Sequence, residues 1–70
     1  MKKKIKVYIM DKRHTVSGNP MYTVFIPELS GKLNGLRKLK KPHTYSFSSY
    51  NVSQYLKDYA LKKYDVTIVR

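Results

Sequence analysis

The sequence has no cysteine and no tryptophan, and it holds only 4 acidic residues, 3 glycines and 3 prolines in 70 positions. Without cysteine there are no disulfide staples, thiolate nucleophiles or cysteine-based zinc sites, as suits a reducing compartment. The four acids, Asp11, Glu28, Asp58 and Asp65, are scattered, and no two share a local segment at a spacing that pairs carboxylates for acid–base work. His14 and His43 make no metal signature with so few acids and are expected in surface or hydrogen-bonded structural roles. The glycines form no phosphate-binding loop, and Ser46, Ser48, Ser49 and Ser53 lack a nucleophile-elbow context. The chain is therefore expected to be non-enzymatic, with no cofactor and no metal.

Long apolar runs are missing too. No stretch approaches the roughly 18 apolar residues of a membrane span. Met1-Lys2-Lys3-Lys4 resembles the charged start of a signal peptide, but Lys6 and Asp11 interrupt the apolar stretch and no small-residue cleavage site follows. A cytoplasmic protein without a membrane partner is expected.

What is present is charge. Fifteen Lys and Arg give a formal net charge of +11, with 41% hydrophobic and 13% aromatic residues. That apolar content is too high for a disordered basic tail. The length allows one domain over residues 1–70, burying about 60% of its unfolded surface, too little for an enclosed pocket.

Ile5, Val7 and Ile9 alternate with Lys6, Tyr8 and Met10, the period of a strand. Residues 21–26 are β-branched and aromatic and end at Pro27, a second strand with Tyr22, Val24 and Ile26 inward. Ser17-Gly18-Asn19-Pro20 between them is turn chemistry, predicting a hairpin that carries Lys12, Arg13 and His14. Residues 28–42 mix glycines with recurring leucines and are expected to be a mobile basic connection, able to turn helical when bound. Tyr45-Ser46-Phe47 alternates as a short third strand. Val52, Tyr55, Leu56, Tyr59 and Ala60 form a helical stripe, predicting a helix over 51–63. Asn51 would be its N-cap, Gln54 would complete a capping-box spacing, and Tyr55 and Tyr59 would lie in the core. Val66 and Ile68 point inward from a last strand. The expected fold is α+β: a small three- to four-stranded, mainly antiparallel sheet in the order β-β-β-α-β, with one helix packed on one face.

The basic residues cluster. Lys3, Lys4 and Lys6 start the first strand, Lys12 and Arg13 mark the hairpin, and Lys32, Arg37, Lys38, Lys40 and Lys41 fill the connection. A line of phosphates neutralised by such residues releases counterions, so nucleic acid, DNA or RNA, is the expected partner. Tyr8 and Phe25, on the sheet face away from the helix, are the candidates for base stacking. Other uses of the same features are a Lys-rich surface that merely solubilises the domain and a homodimer contact through the aromatics. The leucine-interleaved stretch from Leu29 to Lys41 could also meet an acidic protein groove, but its glycines and lack of aromatic anchors argue against a membrane helix.

Ser17-Gly18-Asn19-Pro20-Met21-Tyr22, followed by Thr23-Val24, resembles a hairpin pattern in small, largely uncharacterised bacteriophage and prophage proteins. The resemblance spans about six residues and implies a phage-type origin in a bacterial host cell and a small β-rich fold. It carries over no binding or catalytic residue. It adds an alternative to nucleic-acid binding: a phage-encoded inhibitor or modulator that binds an acidic host protein.

Overall fold

A computed structural model describes residues 2–70. Five strands and one short helix make a small α+β domain: β1 (Lys3–His14), β2 (Pro20–Phe25), β3 (Arg37–Lys38), β4 (Thr44–Ser48), α1 (Val52–Tyr55) and β5 (Tyr64–Val69). The strands form one mixed sheet in the order β3-β4-β2-β1-β5. Only the β1–β5 pairing is parallel. The sheet thus has five strands where three or four were expected; three of its four pairings are antiparallel, and the parallel fourth makes it mixed.

The parallel pair has a plain cause. β4 leads into the helical segment, which carries the chain over the sheet, so β5 returns beside β1 in the same direction. Ile5 pairs with Val66 and Val7 with Ile68, which sets the apolar residues of both strands on one face. Val24 and Tyr45 extend that face through β2 and β4, and Ile5, Val7, Val24, Tyr45, Phe47, Val52, Leu56 and Leu61 share one buried cluster.

A bulge interrupts β1. Ile9 faces Val24 and Asp11 faces Thr23, so Met10 has no opposite number and stands exposed. The extra residue reverses the alternation: odd positions face the core before it, and Lys12 joins Tyr22 on that side after it. Met10 is thus not simply a third member of the Lys6–Tyr8 row.

The helix expected over 51–63 is shorter. Asn51 caps it as expected, its Oδ1 accepting from the Gln54 amide at 3.0 Å. The reciprocal half of the capping box is filled differently, because the Asn51 amide donates to Ser49 Oγ at 3.1 Å. After Tyr55 the coil widens into a π-helical turn over Leu56–Ala60, closed by the Leu61 amide on the Leu56 carbonyl at 2.8 Å. In a regular α-helix residues five apart lie about 140° around the axis. The wider turn lets both Leu56 and Leu61 reach the core. Tyr55 is half-buried and Tyr59 is 57% exposed, so Tyr59 is not the core residue its place on the stripe predicts.

Residues 28–42, read from the sequence as a mobile connection, contain β3 and the buried Leu29 and Leu36. Tyr45 donates its hydroxyl to the Gly31 carbonyl at 2.6 Å, and Tyr55 donates to the Gly35 carbonyl at 2.5 Å. His43 takes a left-handed backbone (φ 59°) and its Nδ1 bonds the Leu29 carbonyl at 2.6 Å, which requires the proton on Nδ1. No helix among the described residues is long and apolar enough to cross a membrane.

Candidate nucleic-acid interface

Strand register sorts the twelve sequence candidates. Lys4, Lys6 and Tyr8 alternate with the core residues of β1, so they face away from the helical layer. Tyr8 pairs with Phe25, and the bulge brings Arg13, opposite Met21, to the same side. Arg37 follows through Ser46 and Thr23. Six candidates therefore share the open face. Lys3, Lys12 and Lys38 have the opposite parity, and Lys32, Lys40 and Lys41 lie outside the strands.

Tyr8 and Phe25 form the centre of that face, with ring centroids 6.3 Å apart and planes tilted by 48°. Val69 pairs with Tyr8 on one side and Thr44 with Phe25 on the other. The His43 ring meets Phe25 edge-on at 6.1 Å. The row toward β3 carries Thr23 and Ser46, and Ser46, like Thr44 beside Phe25, is buried although it lies on this side of the sheet. At the other end Lys4, Lys6, Tyr8, Pro27, Glu28 and Thr67 line a shallow depression. From Lys4 to Arg13 the strand spans about 30 Å at the usual rise per residue.

The electrostatics of this face are mixed. Asp11 lies in the Thr23–Ser46–Arg37 row, and its Oδ2 accepts from Arg13 Nε at 2.7 Å. Asp65 is the register neighbour of Lys4. Glu28 accepts from the Lys6 backbone amide at 2.9 Å, taking the place of a β2 residue beyond Phe25. Arg13 is the one basic side chain with a carboxylate ion-pair partner among the described residues. The acids are scattered in the sequence; the fold sets three of the four along β1, Asp11 within it, Glu28 at Lys6 and Asp65 opposite Lys4.

The candidates off this face have other settings. Lys12 stands over the Tyr22 ring with Nζ 5.7 Å from its centroid. Tyr22 stacks on Phe47, which lies parallel to Tyr55 at 5.0 Å, and Tyr55 meets Tyr59 at 5.2 Å. This file of rings belongs mainly to packing between sheet and helix. Lys32 lines a groove together with Lys62 and Lys63, neither of which is among the sequence candidates. Their signal was proximity of the Leu33–Gly35 turn to the chain after the helix, which no local pattern reveals.

Burial raises the pKa of the Tyr45 and Tyr55 phenols above the ordinary value, with Tyr59 adding to the rise at Tyr55. Both hydroxyls stay protonated donors at neutral pH and are committed to backbone carbonyls. Among the described residues no three His, Asp or Glu gather as metal ligands. No protein-family model, curated protein or solved structure matches the chain.

Proposed function

We propose that the chain is a non-enzymatic nucleic-acid-binding domain of the small phage-accessory type, holding a single strand on the open face of its sheet. The observation that carries the reading is the adjacent Tyr8–Phe25 pair on the sheet face away from the helical layer, with Lys4 and Lys6 toward one end of the strands and Arg13 and Arg37 toward the other. Bases stack on the rings, each stack contributing about 1–3 kcal/mol, and the cations meet phosphates. The acids on this face temper its charge, which favours a larger share of stacking in the affinity than on a purely basic surface.

The test is a salt titration with single- and double-stranded DNA and RNA of random sequence. Single strands are expected to bind more tightly, with a slope of about 0.7 log units per phosphate neutralised. Absence of binding to every oligonucleotide at low salt overturns the reading. The competing proposal is an inhibitor or modulator of an acidic host protein, for which the Tyr8–Phe25–Val69 row with its flanking cations would be the docking surface. A stoichiometric acidic partner retained from nuclease-treated lysate, with no oligonucleotide binding, would favour that alternative.

A further inference from the structure

A concave concentration of cations with no acid in its lining lies on the other layer of the molecule. Lys32 and Asn34 form one wall of a groove whose other wall is Lys62 and Lys63, with Tyr59 and Tyr64 at its sides. No carboxylate lines it; Asp58, the acid of the helical segment, lines a different groove with Ser49 and Gln54.

Both walls are anchored. Gly35 has a positive φ of 83°, and a Cβ there would lie 2.9 Å from the Tyr59 ring, so the Lys32–Asn34 turn approaches the helical segment as closely as a backbone can. The Tyr55 hydroxyl fixes the same turn through the Gly35 carbonyl. On the far side, Leu61 is buried and its carbonyl accepts from the Tyr64 amide at 2.9 Å, which sets the turn carrying Lys62 and Lys63. Three lysines, an asparagine and two tyrosines thus line, together with Leu33, Ala60 and Leu61, a concave site held by the core.

We propose that this groove is a second phosphate-binding site, which takes the phosphodiester backbone of a nucleic-acid segment other than the one stacked on Tyr8 and Phe25. The choice of nucleic acid as ligand rests on the function proposed above; the phosphate chemistry of the groove does not. The aromatic face offers π surfaces among mixed charges, whereas the groove offers cations and hydrogen-bond donors with no acid in its lining. The sheet lies between them. A single chain would therefore hold two segments, either two molecules or distant parts of one strand.

Nuclear magnetic resonance titration with linear tripolyphosphate tests the groove without nucleic acid. Saturable shifts are expected at the amides of Lys32–Asn34 and Lys62–Tyr64, unchanged in Tyr8→Ala. Shifts spread over all lysine segments, or none in the groove, overturn the site even if oligonucleotides bind elsewhere. The second arm mixes donor- and acceptor-labelled oligonucleotides too short to wrap the domain, with longer single strands measured separately. Energy transfer between short strands identifies two molecules; a gain in affinity confined to long strands identifies one wrapped strand.

The Lys32→Gln/Lys62→Gln/Lys63→Gln protein is expected to lose that transfer or gain, and the salt slope of the second binding event should fall by about 2 at 0.7 per single-strand phosphate. The charge-matched Lys2→Gln/Lys57→Gln/Arg70→Gln protein should retain both. Equal loss in the two triple variants means general charge and overturns the inference. Failure of all oligonucleotide binding beside groove-specific tripolyphosphate shifts would instead sink the proposed function and its two-segment extension while leaving the phosphate site.

Discussion

The Tyr59 ring lies directly across Gly35, so close that the position has no room for a β-carbon. This contact joins the basic connection to the helical segment, and the neighbouring Tyr55–Gly35 hydrogen bond reinforces it. Gly35→Ala must therefore bear two costs, a left-handed backbone and displacement of an aromatic ring. Together these should destabilise the fold by about 2–4 kcal/mol. Gly31 also has a positive φ but faces open space, so Gly31→Ala should cost only about 1–2 kcal/mol. Denaturant midpoints at constant m-value measure both, and equal losses would show that the Tyr59 ring yields freely.

Four strands are legible in the sequence because each sets its large apolar residues on one face. Ile5/Val7/Ile9, Val24/Ile26, Tyr45/Phe47 and Val66/Ile68 impose a period of two. β3 is not legible: it comprises two exposed cations, Arg37 and Lys38, on a sheet edge, and neither can advertise a buried face. The Met10 bulge also lacks a local mark, since no glycine or proline accompanies it, yet it decides that Arg13 rather than Lys12 shares the side of Tyr8. The Tyr8–Phe25 neighbourhood was readable from alternation alone. The Lys32–Lys62–Lys63 grouping was not, because it depends on a contact between turns far apart in the chain.

Tyr8→Ala should separate stacking from charge. The substitution removes a ring from an exposed position, 36% accessible, and leaves every cation in place. Single-strand affinity should drop by about 1–3 kcal/mol, while duplex affinity changes little because paired bases cannot lie on the ring. Fluorescence anisotropy with matched oligonucleotides measures the two. Equal losses would remove Tyr8 from a stacking role.

Alkaline pH should weaken the fold through two tyrosines. Burial raises the pKa of Tyr45 and Tyr55 above the ordinary value of 10.0. Between that value and the raised one, the unfolded chain has lost phenolic protons that the folded chain still holds. Stability is then fully present below about pH 10 and falls as the pH rises through the folded-state values. Phenolate absorbance should show two of the seven tyrosines titrating late. Tyr55→Phe should shrink the alkaline loss even though it lowers stability at neutral pH by about 1 kcal/mol through the missing bond to Gly35. An unchanged alkaline slope in that variant would place the proton linkage elsewhere.

Asp11→Asn provides a gain-of-affinity test of the open face. Asp11 holds Arg13 through a 2.7 Å contact, but both side chains are well exposed, so the pair contributes little to folding. Removing the carboxylate frees the Arg13 guanidinium and deletes a negative charge from the row that ends at Arg37. If the strand's phosphates run along this face as far as the hairpin, affinity should rise at low salt, and the salt slope should steepen by about 0.7 for one added phosphate contact. Arg13→Gln should lower the affinity, because it leaves the Asp11 carboxylate unpaired on this face, with little change in slope. The double variant then reports whether the two effects share one phosphate: an Asp11→Asn gain that survives in the Arg13→Gln background comes from the general field rather than from Arg13. Unchanged affinity in both single variants would confine the binding surface to the Lys4–Lys6–Tyr8 end of the sheet.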